Sequence, residues 1–224
     1  MCGRYTVISP APALAKRFAA KAATDAASAA APNYNAAPSQ ALPIITNTAP
    51  GQIQLVPWGL VPAWSRDPAG GPKPINARAE TLGEKPSFRQ LLARRRCLVL
   101  ADSFYEWQTI ERGKIPHRIL LKSEEPFAFA GLWDEWVDKG SGEVHPTFTI
   151  ITTEPNELMA KLHNRMPVIL PSPDAEHAWL ADDLSAAQYQ QLLVPYDTSL
   201  MREYAITTRV NSPAHNDADV LAAA

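Results

Sequence analysis

Cysteine is scarce in this sequence. Only two of its 224 residues are cysteines, Cys2 and Cys97. Two cysteines are too few for a disulfide framework, and they lack the paired spacing that zinc sites use. The five histidines show no metal-ligand spacing either. The sequence therefore predicts no bound metal and no other cofactor.

Long apolar runs are missing as well. No stretch approaches the roughly 20 apolar residues that a membrane helix needs, and the N-terminus lacks the basic and then apolar layout of a secretory signal. We therefore expect no membrane partner and a cytoplasmic location. Hydrophobic residues make up 46% and charged residues 20% of the chain, which argues against a disordered, collagenous or coiled-coil protein.

Charge is distributed unevenly along the chain, although the net charge is only −2. Residues 1–100 hold 12 Lys and Arg against 4 Asp and Glu, whereas residues 101–224 hold 9 against 19. This asymmetry indicates a surface that could meet a polyanion. The alternative is that folding mixes the two halves and averages their charge.

Short apolar segments bounded by proline or glycine predict a strand-rich fold. The predicted strands cover residues 42–46, 53–56, 97–101, 118–121, 127–131, 147–152 and 203–207. Helical spacing of apolar residues predicts helices over residues 10–31, 86–96, 154–162, 174–180 and 185–193. The 21 prolines are spread over the whole chain, so no linker stands out. We predict one mixed domain over residues 1–224, with peripheral helices.

Cys2 is the most informative position. A small second residue is the type after which Met1 is ordinarily excised, and the mature chain would then begin with a free α-amine next to a thiol. An amine condenses with an aldehyde to an imine, and the neighbouring thiol can close a five-membered ring on the same carbon. The same terminus could instead attack an amide carbonyl. The plain alternative is a small residue that starts a buried strand.

Three further segments carry candidate chemistry. Asn76 can orient a nucleophile or a carbonyl, and Arg78 has the planar fork that suits phosphate. Glu106 lies between aromatic residues, which favours a buried acid for proton transfer, although an exposed strand residue would fit the same pattern. His163 follows a predicted helix end and could act as an acid or base, or simply cap the helix or lie on the surface.

Aromatic and basic residues alternate over residues 56–66, which include Trp58, Trp64 and Arg66. Elements of this composition hold single-stranded nucleic acid, with rings against bases and arginine against phosphates. Two tryptophans in a loop are equally typical of core anchors. The segment alone leaves both readings open.

Six blocks of the sequence together resemble the SRAP domain family, whose members process abasic sites in DNA. The blocks span nearly the full chain in the family's order: residues 1–5 (MCGRY), 33–38 (NYNAAP), 58–64 (WGLVPAW), 75–81 (INARAET), 101–107 (ADSFYEW) and 163–167 (HNRMP). The resemblance implies a single α/β (α+β) domain with a central barrel-like, mostly antiparallel sheet, peripheral helices and a positively charged groove.

The resemblance also implies an activity and its catalytic residues. Cys2 matches the nucleophile that becomes N-terminal and forms a thiazolidine crosslink with the ring-opened aldehyde of an abasic site in single-stranded DNA. Asn76 matches the residue that positions the sugar, Glu106 the acid and base, and His163 the histidine that helps to open the ring and reverse the link. Autopeptidase and lyase-type activities and a role in the SOS response are also implied.

Further matches concern DNA contacts. The resemblance places Arg4, Arg78 and Arg165 near the DNA backbone. It assigns the shaping of the groove to Asn35, Pro38, Trp58, Leu60 and Trp64. The implied partner is single-stranded DNA that contains abasic sites. We expect the protein to be a monomer that associates with the nucleoid during DNA damage.

The sequence departs from the family pattern at three places. Ser103 stands where family members more usually have glycine. Residues 67–73 lengthen the loop after Trp64, which weakens the expectation for the contacts of Trp64 and Arg66. The alanine-rich end, about residues 216–224, is expected to be disordered.

Two other functions remain compatible with the sequence. The protein could be an N-terminal-nucleophile thiol peptidase that acts on peptides, with Cys2 as its nucleophile. Alternatively, the protein could be a non-catalytic reader of modified DNA in which Cys2 is merely structural. The crosslinking hypothesis requires an exposed aminothiol close to Glu106 and His163, in a groove wide enough for a nucleic-acid strand.

Overall fold

Two β-sheets form the scaffold of the protein. The computed structural model describes residues 2–30 and 32–224, with the backbone alone at positions 86 and 87. The first sheet has five antiparallel strands. In spatial order they are β13 (Met201–Ala205), β9 (Gly113–Leu121), β8 (Ser103–Ile110), β1 (Tyr5–Val7) and β3 (Asn33–Ala36).

The second sheet has eight strands and is also mostly antiparallel. Its path runs through β12 (Met166–Pro167), β11 (Val144–Thr153), β10 (Phe127–Val137), β7 (Arg96–Ala101), β4 (Ala41–Thr46), β5 (Gln52–Pro57) and β2 (Lys21–Ala22). The remaining strand, β6 (Asn76–Arg78), pairs in parallel with β11. Every residue of the central strand β7 is buried, as expected for a strand covered on both faces.

The two sheets share one core. Tyr5 of the first sheet makes edge-to-face contacts with Trp58 and with Phe129 of the second sheet. Among the described residues the strand ladders of the two sheets remain separate, so they do not close into a barrel. The predicted fold class, a mixed domain dominated by antiparallel sheet with peripheral helices, is confirmed.

The helices are short and lie at the periphery. The α-helices are α1 (Ala11–Arg17), α2 (Asp25–Ser28), α3 (Pro86–Arg94), α4 (Pro173–Leu180) and α5 (Ala186–Gln191). Single 3₁₀ turns cover Ala79–Thr81, Met159–Lys161, Thr198–Leu200, Thr208–Asn211 and Ala218–Leu221. Among the described helices, none is long and apolar enough to cross a membrane.

Two helix predictions were wrong in extent. The helix expected over residues 10–31 ends at Arg17, because Ala19 adopts a left-handed conformation with φ of 49°. The chain then forms β2 and α2, and residue 31 lies outside the described residues. The helix expected over residues 154–162 is reduced to the 3₁₀ turn Met159–Lys161. The side chain of Asn156 holds the segment before this turn, because its oxygen accepts from the N–H of Met159 and its nitrogen donates to the carbonyl oxygen of Tyr196.

The C-terminal segment differs from the expected disorder. Ala218–Leu221 forms a 3₁₀ turn, and Val220 is fully buried in a small cluster with Tyr105 and Ile206. Asn35 holds the preceding loop through its amide nitrogen, which donates to carbonyl oxygens at 3.2, 2.9 and 2.9 Å. Those oxygens belong to residues 210, 212 and 215. Apolar burial and these bonds explain why an alanine-rich end packs.

Candidate active site and nucleic-acid interface

Cys2 lies just before β1 and is completely buried. This differs from the exposed aminothiol that the crosslinking hypothesis requires. Burial, and next the negative charge of Glu106, raise the pKa of the Cys2 thiol far above its ordinary value. The thiol faces the carbonyl oxygen of Arg4 at 4.0 Å. Cys2 is therefore a protonated thiol at neutral pH, within the electrostatic influence of Glu106.

Asn76 connects the buried cysteine with the surface. It is the first residue of β6, which β11 holds in parallel register through Ile150. Its side-chain nitrogen donates a hydrogen bond of 2.9 Å to the main-chain carbonyl oxygen of Cys2. Its Oδ1 atom is buried and makes no hydrogen bond to any described residue. Asn76 therefore holds Cys2 in place and keeps an acceptor that a ligand hydroxyl could use.

Glu106 is buried, with 2% of its surface exposed. The cause is strand alternation: Phe104 and Glu106 point to the side of the main core, whereas Tyr105 and Trp107 pack against the C-terminal segment. The expected burial is therefore present, although the aromatic neighbours lie on the opposite face of the strand. The inner face brings the carboxylate to the side of the sheet where Cys2 is buried.

His163 is half-buried and follows the 3₁₀ turn Met159–Lys161. Its Nδ1 atom accepts a hydrogen bond of 3.0 Å from the backbone N–H of Arg165. This bond requires an unprotonated Nδ1, so in that state the ring is neutral and carries its proton on Nε2. His163 is thus set up to donate a hydrogen bond from Nε2.

Arg165 anchors the loop that carries His163. Its guanidinium makes a bidentate pair with Glu80 at 2.8 and 2.9 Å and donates to the carbonyl oxygen of Thr152 at 2.6 Å. Thr152 of β11 pairs with Arg78 of β6 on one side and with Pro167 of β12 on the other. The loop is therefore fixed at the corner where β6 and β12 meet β11, beside Asn76.

A cleft of about 840 Å³ opens beside Asn76 and is rich in cationic side chains. Its lysines and arginines are Lys73, Arg78, Lys85, Arg94 and Arg95. The carboxylate among its described lining residues is that of Asp134, which accepts a hydrogen bond from the backbone of Ala63. Arg95 is paired with Glu135 at 2.9 Å, so the excess of positive charge comes from the other four cations. A concave surface with this excess suits a polyanion.

Three of the residues predicted to contact DNA line this cleft: Leu60, Trp64 and Arg78. Trp64 is 72% exposed, so its ring is available for stacking. Trp58 lies outside the cleft and is a core anchor, because it is 1% exposed, stacks on Phe148 and donates to the carbonyl oxygen of Ile75.

The other predicted DNA contacts also lie outside the cleft lining. Arg4 donates to Asn35 at 2.7 Å and to the carbonyl oxygen of Val210 at 2.8 Å, so its guanidinium binds the protein itself. Asn35 is fully buried. Pro38 is half-buried after β3. Arg165 is held by Glu80 and Thr152, as described above.

Sequence reasoning missed four cations of the cleft, namely Lys73, Lys85, Arg94 and Arg95. Lys85 and Arg94 lie at the two ends of α3, and the triple arginine at residues 94–96 was the available signal. The triplet does not act as a unit, because Arg96 is buried and pairs with Asp182 at 2.5 Å. Only the fold separates the two cleft-lining arginines from the structural one.

Cys97 and possible metal ligands are the remaining candidates for a role in the site. Cys97 is fully buried in β7, and burial raises the pKa of its thiol. Within the part of the chain that the structure describes, no three or more His, Cys, Asp or Glu side chains come together in a way that could hold a metal ion.

Fold and site together define a sheet-dominated domain with a cysteine at position 2 next to a cationic cleft. A family model described as SOS response associated peptidase (SRAP) matches residues 1–213. The chain therefore belongs to the SRAP family, as the six sequence blocks predicted.

Named relatives are similar over most of their length. The abasic site processing protein YoqW of Bacillus subtilis (strain 168) is 45% identical over 224 residues, which is 99% of each chain. The abasic site processing protein YoaM of the same organism is 48% identical over 193 residues, covering 85% of this chain and 84% of the relative. A solved structure of a protein from Bacteroides thetaiotaomicron has a TM-score of 0.91 and 34% identity, with full coverage of both chains.

Proposed function

We propose that this protein processes abasic sites in single-stranded DNA by forming a covalent crosslink through Cys2. One observation carries the proposal: Asn76 lines the cationic cleft and also donates the 2.9 Å hydrogen bond that holds Cys2. Through Asn76, the cationic cleft, where a nucleic-acid backbone could bind, is connected to the candidate nucleophile Cys2. The similarity to abasic site processing proteins supports abasic sites as the substrate.

The cleft supplies the non-covalent part of binding. Phosphates would meet Arg78 and the neighbouring cations, and the exposed ring of Trp64 would stack on an unpaired base. Single-stranded DNA is favoured because extrusion of a nucleotide from a duplex costs a few kcal/mol. Since all these residues belong to one chain, we expect a monomer to be sufficient.

Ring opening of the abasic sugar requires that a base removes the proton of the C1′ hydroxyl and that an acid protonates the ring oxygen. We assign proton transfer to Glu106, a buried carboxyl within the electrostatic influence of Cys2, which takes the hydroxyl proton and delivers it to the ring oxygen. His163 assists by donating a hydrogen bond from Nε2 to the ring oxygen. The product is an open-chain aldehyde at C1′.

The aldehyde then reacts with the N-terminal aminothiol. The α-amine of Cys2 adds to C1′, and loss of one water molecule gives an imine. The thiol adds to the same carbon, its proton ends on the nitrogen, and a thiazolidine forms. One water is the sole by-product, so no oxidant, reductant or metal is required.

The peptide bond between Met1 and Cys2 makes removal of Met1 a requirement. Before removal the nitrogen of Cys2 is part of a peptide bond and cannot form an imine. Removal converts this nitrogen into an amine with an ordinary pKa of about 7.7 to 8.0. We propose that excision of Met1, by an aminopeptidase or by the protein itself, switches on the activity.

The decisive experiment uses a single-stranded oligonucleotide with one abasic site. Protein whose intact mass corresponds to a chain beginning at Cys2 should give a band that survives SDS. The variant Cys2→Ser should lose the thiazolidine, and protein with a blocked N-terminal extension should give no band until a protease exposes Cys2. An undamaged oligonucleotide is the matched control.

Two other outcomes would identify the competing functions. Turnover of peptides by Cys2 without an SDS-stable band would indicate the N-terminal-nucleophile thiol peptidase. Binding of damaged DNA that is unchanged in Cys2→Ala, with no covalent species from the wild type, would indicate a non-catalytic reader. Either result would overturn the crosslinking proposal.

A further inference from the structure

A second pair of titratable groups lies next to Glu106 and has no role in the chemistry above. His117 of β9 is the direct cross-strand partner of Glu106 in β8. Its Nδ1 atom lies 2.5 Å from Oε2 of Glu203, which projects from β13. Directly opposed residues of antiparallel strands point to the same face, with their Cβ atoms about 4.5 to 5.5 Å apart. The three side chains therefore form a row across three neighbouring strands.

Burial decreases along this row. Glu106 is 2% exposed and His117 is 9% exposed, whereas the side chain of Glu203 is 32% exposed. The row thus leads from the proposed active site to solvent. A buried carboxyl that gives and takes protons needs such a path, because water does not reach it directly.

The Nε2 side of the His117 ring faces β8, the strand that carries Glu106. The Nε2 atom of His117 is buried and has no hydrogen-bond partner among the described residues. Since β9 lies between β13 and β8 in the sheet, a ring whose Nδ1 meets Glu203 presents its Nε2 toward the β8 side. A buried nitrogen without a partner is costly and calls for an explanation.

We propose that His117 and Glu203 form a proton relay that connects the Glu106 carboxyl with solvent. In the outward step the proton of Glu106 passes through a bridging water to Nε2 of His117, which makes no direct hydrogen bond to a described residue, and the Nδ1 proton of the same ring passes to Glu203 and from there to water. The ring remains neutral and exchanges one tautomer for the other, so one proton enters and one leaves. The inward step is the reverse.

The relay rests on the proposed function, because it serves Glu106 as the acid and base of the crosslinking reaction. His117 acts through Glu106 and does not touch the substrate, so it is a positioning residue. It would allow Glu106 to change its protonation state between ring opening and thiazolidine closure.

Arg118, the charged neighbour of His117 in β9, points to the opposite face, where it donates to the hydroxyls of Ser103 and Tyr204. The 3₁₀ turn Thr208–Asn211 packs against the opposite face through Val210, and its Arg209 pairs with Asp217 at 3.1 Å. On the inner face, Gln108 donates to the carbonyl oxygen of Lys161, whose side chain is exposed. The groups that face His117 across the sheet are thus Glu106 and Glu203.

A titration without DNA tests the coupling directly. The ring resonances of His117 are followed by NMR against pH in the wild type, Glu106→Gln and Glu203→Gln. The relay predicts that the midpoint of the His117 titration moves in both variants. If the midpoint of the His117 titration is the same in Glu106→Gln as in the wild type, the relay is refuted, whether or not the protein crosslinks DNA. The spectra also report whether each variant is folded.

A kinetic experiment tests the function of the relay. In dilute buffer, His117→Gln should slow crosslinking of the abasic oligonucleotide by about tenfold or more, and added imidazole should restore the rate by carrying protons. His145→Gln is the matched control, because its contact with Glu143 is 3.8 Å long and exposed. A His117→Gln rate equal to wild type over the whole pH range would refute the relay, and a wild type that does not crosslink would instead refute the proposed function.

Discussion

The side-chain nitrogen of Asn76 lies 2.9 Å from the main-chain oxygen of Cys2 and donates a hydrogen bond to it. This contact joins two segments that are 74 residues apart in the chain. It fixes the start of β1 against β6, and through β6 it relates the nucleophile to the cationic cleft. The predictions that follow concern this contact, the cleft and the loop of His163.

Replacing Asn76 with Ala should impair crosslinking far more than stability. Loss of the hydrogen bond should cost about 0.5 to 1.5 kcal/mol of unfolding free energy, whereas misplacement of the nucleophile should slow crosslinking by about 10- to 100-fold. Rates with an abasic oligonucleotide and thermal unfolding separate the two effects. The control is Gln52→Ala, on an exposed position of β5 far from the cleft. Equal rates for both variants would contradict the assignment of Asn76.

Arg78 and Lys85 should contribute to DNA binding mainly through charge. Each Ala variant should bind undamaged single-stranded DNA more weakly, and the slope of log affinity against log salt should fall by about 0.7 for each lost phosphate contact. Fluorescence anisotropy at several salt concentrations measures both quantities. Lys21→Ala removes an exposed cation of β2, outside the cleft, and should leave the slope unchanged. An unchanged slope in the cleft variants would mean that DNA binds elsewhere.

Trp64 and Trp58 should respond in opposite ways to substitution. Trp64→Ala should keep normal stability, because the ring is 72% exposed, and should lose about 1 to 3 kcal/mol of affinity for single-stranded DNA. Trp58→Ala should lose about 3 to 5 kcal/mol of stability, because it leaves a large cavity in the core. Chemical denaturation and DNA titrations of both variants provide the test. A stable Trp58→Ala protein with weakened DNA binding would show that Trp58 contacts DNA, as the sequence analysis expected.

The Glu80–Arg165 pair should make stability depend on pH in the acid range. The hydrogen bonds from Arg165 hold the pKa of Glu80 below its ordinary value of 4.5. A lowered folded-state pKa means that the stabilisation is complete above that ordinary value and is lost as pH falls through the folded-state pKa. Because Glu80 is largely exposed, the gain at neutral pH should be at most about 1 kcal/mol.

The test of this pair compares Glu80→Gln with the wild type at pH 7 and near pH 3. At pH 7 the variant should melt lower by about 2 to 4 °C, and the difference should shrink on acidification. Glu84→Gln, on an exposed position nearby, is the control. A difference that grows as the pH falls would contradict the sign of the argument.

The sequence predicted the apolar strands well, because their signal is local. Residues 42–46, 97–101 and 127–131 lie within observed strands of the second sheet. It missed β3 and β6, which are short and polar and acquire strand structure from their neighbours. It also missed β1, whose three residues are all buried. The alanine-rich helix was overestimated, because nothing in the composition signals the left-handed Ala19.

The sequence named candidate site residues, but it did not give their arrangement. Asn76 contacts Cys2, and Glu106 lies within its electrostatic influence, yet their catalytic roles stay predictions until the crosslink is measured. Arg4 and Asn35 were expected to meet DNA, but their hydrogen bonds hold the C-terminal segment. A side chain's choice between an internal carbonyl and a phosphate depends on partners that are distant in the chain.

The order of residue types along the chain determined by itself the family, the absence of paired metal-ligand spacing and the candidate nucleophile at position 2. Tertiary structure decided that the Cys2 thiol is enclosed, which arginines reach the cleft, and that Glu106, His117 and Glu203 lie in one row. The physical reason is that burial, pKa and hydrogen bonding arise from contacts between segments 74 to 206 residues apart. Composition and spacing carry no record of those contacts.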